Sequence, residues 1–112
     1  MEIGVDIVKI SYVKSMVKKH GNRFIKRILS GEEQQIYYRK RRKYEFLAGR
    51  FAAKEAVYKA TNHAFAANKV SVLNDQSGRP YVVFADGGPD VNISISHHGN
   101  YAVATAIMKE SV

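Results

Sequence analysis

The feature that most constrains the fold is an alanine-rich, helix-forming stretch near the middle of the chain, residues 46–61. Projected at about 100° per residue, this helix has no wholly polar face. One stripe consists of small residues and another of bulky apolar ones: Gly49, Ala53, Ala56 and Ala60, then Leu47, Phe51 and Tyr58. Because a helix that is apolar on two sides packs on two sides, the sequence predicts a fold built around residues 46–61.

Between these stripes the helix carries an acid and a base one turn apart, Glu55 and Lys59. Taken alone they are an ordinary i,i+4 pair, which contributes about 0.2–0.5 kcal/mol. A second carboxylate, Asp6, lies inside the first apolar strand, where aspartate is disfavoured. Taken alone, Asp6 is better explained as a turn cap or as the partner of an arginine. Two carboxylates and a lysine on rigid elements also suit a magnesium-dependent phosphoryl-group transfer, which is the functional hypothesis.

Hydrophobic periodicity predicts an α+β class for the rest of the chain. Residues 2–8 alternate, with Ile3, Val5 and Ile7 on one face and Gly4, Asp6 and Val8 on the other, which predicts a strand with one face buried. Ser30 and Glu33 form a capping-box pattern that starts a helix running to Tyr38. Further helices are expected at 11–19 and 23–29, and strands at 70–73, 81–84, 91–96 and 101–108. We expect a single domain, residues 1–112, with a small, mostly antiparallel sheet packed on the long central helix.

Composition limits the function. A chain of 112 residues makes one small domain, and without cysteine it has neither disulfides nor a thiolate metal site. The N-terminus does not resemble a secretory signal, and no apolar run approaches the roughly 18 residues of a membrane span, so we expect a cytoplasmic protein. A net charge of +8 predicts an anionic partner: nucleic acid, phosphates or an acidic protein. The basic run 39–43 is either a solvated face or part of such a surface.

Three motifs follow one another along the chain: Gly4-Val5-Asp6-Ile7, the segment from Glu45 to Ala56, and Ser94-Ile95-Ser96-His97. In order, spacing and total length they closely resemble the holo-acyl carrier protein synthases, the small 4′-phosphopantetheinyl transferases. The resemblance covers essentially the whole chain, including residues 27–30 and 74–80. The R-F-x-x-K-E-A element at 50–56 is specific, whereas the G-x-D and S-x-S-H elements are weak on their own.

The resemblance implies a 4′-phosphopantetheinyl transferase fold and transfer of 4′-phosphopantetheine from coenzyme A to a serine of apo-acyl carrier protein, releasing adenosine 3′,5′-bisphosphate. It implies Mg²⁺ held by Asp6 and Glu55, with Lys59 stabilising the departing bisphosphate. The base that deprotonates the serine stays open between Glu55 and a metal-bound water. Coenzyme A would be contacted by four residues: Arg50, Lys54, Ser96 and His97.

The resemblance also implies partners and a role in fatty acid biosynthesis. Acyl carrier proteins are acidic, and the candidate docking residues lie in the first basic helical region: Lys14, Lys18, Arg23 and Arg27. A homotrimer with active sites at subunit interfaces is implied as well. Two positions depart from the family pattern: residues 61–67 lack the usual glycine-rich loop, and His98 stands where a threonine is usual. These departures concern coenzyme A binding and leave the metal residues untouched.

Two other readings remain open. A small RNA- or ribosome-binding protein would use Arg39–Lys43 and the surface lysines, but charge is its sole support, since no RNP-like strand or helix-turn-helix is evident. Nucleic acid is therefore the less favoured partner. An inactive member of the transferase family is the other reading, because the glycine-rich loop is missing.

Overall fold

A computed structural model describes residues 1–109. Its helices and strands follow the sequence prediction closely and mostly extend it by one to three residues. The helices are α1 (Ile10–His20), α2 (Asn22–Ile28), α3 (Gly31–Arg39) and α4 (Lys43–Thr61), and a 3₁₀ turn spans Ala67–Lys69. The strands are β1 (Glu2–Lys9), β2 (Val70–Asn74), β3 (Pro80–Phe84), β4 (Val91–His98) and β5 (Tyr101–Met108). Residues 110–112 of the predicted domain lie outside the described residues.

Helix α4 is the centre of the fold, as its two apolar sides predict. Strands β1, β5 and β4 pack against one side, and α1, α2, α3 and β2 contact the other. The small residues of α4 are fully or almost fully buried: Ala48, Ala52, Ala53, Ala56 and Ala60. Small side chains on α4 therefore let both layers approach its backbone closely. None of the helices within residues 1–109 is both long and apolar enough to cross a membrane.

The strands form two sheets rather than one. The larger sheet has the order β1-β5-β4 and is antiparallel throughout, while β2 and β3 form a separate antiparallel pair. On the face toward α4, the central strand β5 presents Ala102, Ala104 and Ala106, all buried. Because alanine side chains are short, this row lets β5 lie close to α4.

Strand β1 buries its less apolar face. Ile3, Val5 and Ile7 are 63%, 55% and 61% exposed, whereas Gly4 and Val8 are buried. An apolar row would ordinarily be the inward one. Here the orientation follows from Gly4: a Cβ at that position would lie 2.0 Å from the Ala56 carbonyl oxygen. Only glycine permits this approach, and the alternation of the strand then turns Asp6 toward α4.

The capping box at the start of α3 is confirmed. Ser30 Oγ accepts from the Glu33 backbone N–H, and Glu33 Oε1 accepts from the Ser30 backbone N–H at 2.9 Å. The carboxylate of Glu33 is fully buried, so this cap belongs to the interior rather than to the surface.

Candidate active site

Asp6 and Glu55 line one cavity of about 510 Å³ between β1, α1 and α4. Asp6 comes from the inward face of β1, and Glu55 from the stretch of α4 that β1 crosses. Tyr12 and Phe51 line the same space, which we call the carboxylate cavity. The structure therefore brings together the two carboxylates that the sequence singled out, and the close packing at Gly4 makes their meeting possible.

Lys59 lies at the edge of this pair. Its Nζ donates to Asp6 Oδ1 at 3.2 Å and to the Val5 carbonyl oxygen at 3.0 Å. The lysine side chain is half exposed and the Asp6 side chain is 19% exposed. Within residues 1–109 the third N–H of this ammonium has no protein acceptor, so it faces solvent and can reach a bound anion.

The donor set fits Mg²⁺ better than a metal that needs a closed protein cage. Residues 1–109 contain no group of three or more histidine, cysteine, aspartate or glutamate side chains placed to hold an ion. Magnesium is usually bound through one or two carboxylates, with substrate phosphate oxygens and water completing its octahedron. Asp6 and Glu55 supply those two carboxylates beside open solvent, which leaves room for the phosphate oxygens of a substrate.

An aromatic contact links the carboxylate cavity to the basic helices. Phe51 stacks on Phe24 of α2, with ring centroids 6.3 Å apart. Phe24 in turn lines a groove between α1 and α2 together with Arg23 and Arg27. The four predicted docking residues are exposed: Lys14, Lys18, Arg23 and Arg27. They form a positive surface on α1 and α2, the helices that also supply Tyr12 to the cavity and Phe24 to the ring contact.

A second, basic cavity of about 650 Å³ lies near the start of α4. It is lined by cations and by the turn after β2: Lys40, Arg41, Arg42, Arg50, His97, Asn74 and Gly78, with Glu45 and Phe46. The ring of Phe46 lies 4.3 Å from the Arg50 guanidinium carbon and 5.6 Å from Lys40 Nζ. This aromatic face helps hold two cations close together.

Arg50 is fixed before any ligand arrives. Its Nε donates to the Val72 carbonyl oxygen at 3.1 Å, and Nη2 donates to Asn74 Oδ1. Burial lowers the pKa of Arg50, and the charge of Glu33 partly opposes this. Guanidinium groups nevertheless stay protonated in proteins. Arg50 therefore offers the basic cavity a permanent, rigidly held positive charge.

His97 reaches the same cavity from β4. A Cβ at Gly49 would lie 2.9 Å from its Nε2, so this glycine allows the ring to lie against α4. Nε2 is 3.1 Å from the Glu45 carbonyl oxygen, and because a carbonyl can only accept, Nε2 carries the proton. Nδ1 lies 3.5 Å from Glu45 Oε1. Ser96 alternates to the opposite, exposed face of β4 and does not line this cavity.

Lys54 does not face either cavity, contrary to its prediction as a coenzyme A contact. It is 3% exposed, and its ammonium donates to Glu33 Oε1, to the Ile28 carbonyl oxygen at 2.7 Å and to the Ala67 carbonyl oxygen at 2.9 Å. Burial lowers its pKa, and the charge of Glu33 opposes that shift. With all three N–H groups taken by the protein, Lys54 has none left for a phosphate.

Sequence reasoning missed much of the basic cavity. Arg41 and Arg42 were seen only as part of a charged run, although they directly precede the α4 segment that carries Arg50. Glu45 was not singled out, yet its carboxylate lies within 3.6 Å of both Arg42 and His97. A lone acid after five consecutive bases was the available signal, since it can neutralise and order its neighbours.

The two cavities face different directions on one chain. Arg50 and Glu55 are five residues apart on α4, which separates them by about 140° around the helix axis and 7.5 Å along it. Among residues 1–109, none lines both cavities.

Comparison with known proteins gives one consistent result. Residues 2–106 match the model of the 4′-phosphopantetheinyl transferase superfamily. The chain is 41% identical over 112 residues to a holo-[acyl-carrier-protein] synthase of Halalkalibacterium halodurans, covering 95% of this chain and 92% of that protein. It is 44% identical over 115 residues to the synthase of Chlorobaculum tepidum, covering 97% and 98%.

Solved structures resemble this one over nearly their whole length. The holo-[acyl-carrier-protein] synthase of Neisseria meningitidis superposes with a TM-score of 0.89 at 27% identity, covering 97% of this chain and 98% of that one. The synthase of Bacillus anthracis, solved in complex with CoA (3′,5′-ADP), gives 0.85 at 34% identity, covering 98% and 96%. The predicted α+β fold is thereby confirmed at the level of the whole architecture.

Proposed function

Since this chain belongs to the 4′-phosphopantetheinyl transferase superfamily, we propose that it is a holo-[acyl-carrier-protein] synthase. It transfers 4′-phosphopantetheine from coenzyme A to a serine of apo-acyl carrier protein. The observation that carries this proposal is that Asp6 and Glu55 line one cavity, with Lys59 paired to Asp6 at its edge. Asp6 lies on β1, and Glu55 and Lys59 lie on α4.

The reaction exchanges one P–O bond for another. The serine oxygen bonds to the pyrophosphate phosphorus next to pantetheine, the bond to the bridging oxygen breaks, and adenosine 3′,5′-bisphosphate leaves. Asp6 and Glu55 would hold Mg²⁺, which neutralises charge on the phosphate oxygens when it is bound. Both carboxylates line one cavity, so an ion held by them would place the pyrophosphate beside the attacking serine.

Lys59 would act on the departing group. Its ammonium is held by Asp6 and the Val5 carbonyl, with one N–H directed to solvent. A fixed donor aimed at developing negative charge stabilises the transition state more than the ground state. Glu55 is the one carboxylate of the cavity without a lysine partner among the described residues, which makes it the candidate to accept the serine proton.

The basic cavity would bind the phosphate of coenzyme A that lies outside the pyrophosphate. Arg50 presents a fixed guanidinium, and guanidinium groups suit phosphate because they donate in a planar fork. Arg41, Arg42 and Lys40 line the same cavity, and so does His97, whose ring is held by the Glu45 carbonyl. Ser96 lies on the other face of β4, so its role would require a contact outside its own chain's cavity. Lys54 is left out of this set because of its burial.

A homotrimer with active sites between subunits would join the two cavities. Each chain exposes an apolar row on β1 next to the carboxylate cavity: Ile3, Val5 and Ile7. Exposed apolar rows of this kind are typical of subunit interfaces. The basic cavity of a neighbour packed near that row would face Asp6 and Glu55, which supports active sites shared between subunits.

The carrier would dock on α1 and α2. The residues proposed for this surface are exposed and positive, and Phe24 and Phe51 connect it with the carboxylate cavity. Acidic carrier proteins would be steered to such a surface. The proposal extends to residues 1–112 as one transferase domain that acts in cytoplasmic fatty acid biosynthesis.

The decisive experiment is a transfer assay. The protein is incubated with an apo-acyl carrier protein, coenzyme A and magnesium chloride, and the carrier is weighed by mass spectrometry. We expect the phosphopantetheine mass increment on the carrier and release of adenosine 3′,5′-bisphosphate. A carrier whose acceptor serine is replaced by alanine is the control. No increment with several bacterial carriers, from a folded protein, would refute the proposed function and favour an inactive member of the family.

A further inference from the structure

The buried lysine of α4 ties together elements that are far apart in the sequence. Lys54 Nζ donates to the carbonyl of Ile28, the last residue of α2, and to that of Ala67, the first residue of the 3₁₀ turn. Its third bond goes to Glu33 in the first turn of α3. One ammonium thus fixes three separate segments against α4, immediately before Glu55 in the chain.

Glu33 extends this network. Its Oε1 also accepts from the Ser30 N–H, and its Oε2 accepts from the Val72 N–H at 2.8 Å. Ser71 Oγ donates to Ser30 Oγ at 2.6 Å, which joins β2 a second time. No buried side-chain nitrogen or oxygen in residues 1–109 is left without a hydrogen-bond partner. The Lys54–Glu33 pair is therefore complete, and it includes the N-cap of α3.

Stability alone does not require such a pair. Removing two charges from water is costly, and replacing a buried ion pair by well-packed apolar residues is often neutral or stabilising. Hydrogen bonds are directional, whereas apolar contacts are not. Each of the three N–H···O bonds therefore fixes one segment at one point, which apolar residues could not do. The pair is therefore better understood through the segments that it holds.

Of the two segments held through a backbone carbonyl, one contacts the lining of the proposed reaction site and the other follows Lys59 in the chain. Ile28 directly follows Arg27, and α2 also contributes Phe24, which stacks on the Phe51 ring of the carboxylate cavity. Ala67 ends the stretch that begins three residues after Lys59. This stretch has no glycine, and it is further anchored by His63 and Phe65, whose rings pack edge-on against Phe84.

We propose that Lys54 is a positioning residue for phosphopantetheine transfer: it holds the carrier-docking helix α2 and the segment after Lys59 in a fixed register with Glu55. The inference rests on the proposed function. It assigns to Lys54 no contact with coenzyme A, with the carrier or with a metal. Its effect passes through the backbone carbonyls of Ile28 and Ala67.

The test compares Lys54→Met with Leu47→Ala, a change in a fully buried residue of α4 outside the network. Both lower stability, so kinetics are measured at a temperature where melting curves show each variant folded. We expect Lys54→Met to lower kcat by roughly ten- to a hundredfold, the range that a misplacement of about 1 Å can cause. The carrier KM should rise more than the coenzyme A KM. Leu47→Ala should leave both KM values and kcat close to wild type.

A readout independent of activity is hydrogen–deuterium exchange. Lys54→Met should accelerate exchange of amides in α2 and residues 62–69, but not in the β4–β5 pair. Glu33→Gln keeps the bonds from Lys54 to Ile28 and Ala67, so it should lose stability while retaining transfer better than Lys54→Met. Should Lys54→Met not fold, the double variant Glu33→Gln/Lys54→Met, which buries no charge, takes its place.

Three results would overturn the proposal. The first is unchanged exchange and kinetics in the folded lysine variant, and the second is a kinetic loss that Leu47→Ala reproduces at equal melting temperature. The third is a loss in Glu33→Gln as large as in Lys54→Met, which would show that the carbonyl bonds are not responsible. A wild-type protein that transfers nothing refutes the proposed function instead, and the exchange experiment still decides whether Lys54 holds these segments.

Discussion

Two of the lysines of helix α4, Lys54 and Lys59, have opposite surroundings. Lys54 is 3% exposed and gives all three N–H groups to protein acceptors, whereas Lys59 is half exposed and keeps one N–H for solvent. Five residues separate them, which places them about 140° apart around the helix. The difference comes from the neighbouring elements. Helices α2 and α3 cover Lys54, whereas Lys59 contacts β1 through the Asp6 carboxylate and the Val5 carbonyl. The buried lysine therefore holds neighbouring segments of the fold, whereas the exposed one is available to a ligand.

The largest effect is expected on the chemical side of α4. Asp6→Ala or Glu55→Ala should lower turnover by orders of magnitude, since a bound metal supplies several kcal/mol of charge stabilisation. Both side chains line an open cavity, so the melting temperature should change little. The measurement is the transfer rate over a magnesium titration, with chelator-treated wild type as a reference. Near-normal activity of both variants at limiting magnesium would remove the metal assignment.

The opposite side of α4 should respond in stability. Lys54→Met leaves Glu33 charged and buried without its partner, which typically costs about 3–5 kcal/mol. Lys59→Met removes an exposed ion pair with Asp6, which is worth about 0–1 kcal/mol. Urea unfolding of the two variants measures both free energies. Equal losses would mean that burial does not distinguish these lysines, and the contrast would fail.

Although Lys59→Met should cost little stability, it should lower activity strongly. Lys59→Met is expected to cost about 2.7–4 kcal/mol of transition-state stabilisation, a hundredfold or more in kcat, by analogy with the loss of one oxyanion donor. Lys59→Arg is the matched control, because it keeps the charge while changing the geometry. An unchanged transfer rate in Lys59→Met with unchanged melting would make the residue a surface partner of Asp6 and nothing more.

The sequence predicted most of the architecture because that information is local. The Ser30–Glu33 capping box and the two-sided apolar pattern of α4 each depend on residues within a few turns, and both were confirmed. Asp6 and Glu55 could also be matched through short motifs. Their meeting in one cavity follows from the crossing of β1 over α4 at Gly4.

What the sequence did not reveal depends on distant pairing. Lys54 was expected to contact a phosphate. Its buried partner, Glu33, lies 21 residues earlier, and no local pattern indicates that the two side chains meet. The burial of Gly4 and Val8 rather than Ile3 and Val5 likewise depends on the contact with Ala56. Alternation alone cannot choose between the two faces of a strand.

The smallest expected effects concern the surface that leads to the chemical side of α4. The variant replaces four exposed bases of α1 and α2 by glutamate: Lys14, Lys18, Arg23 and Arg27. It should raise the carrier KM far more than the coenzyme A KM. Exposed charges contribute to association through steering, and salt screens them beyond about 8 Å at physiological ionic strength. Steady-state kinetics over a salt series measure this, and the wild-type advantage should shrink as salt is added.

A matched reversal tests whether the two positive regions have separate roles. Arg41 and Arg42 line the basic cavity, so Arg41→Glu with Arg42→Glu should raise the coenzyme A KM and leave the carrier KM nearly unchanged. An RNA-binding protein would behave otherwise: Arg39–Lys43 would hold polynucleotide tightly and without carrier selectivity, which filter binding detects. Two results together would refute carrier docking on α1 and α2. One is an unchanged carrier KM in the variant with reversed charges on α1 and α2, and the other is loss of RNA binding at physiological salt in the Arg41→Glu/Arg42→Glu variant. The opposite pattern would assign coenzyme A to the start of α4 and the carrier to the helices beside Asp6 and Glu55.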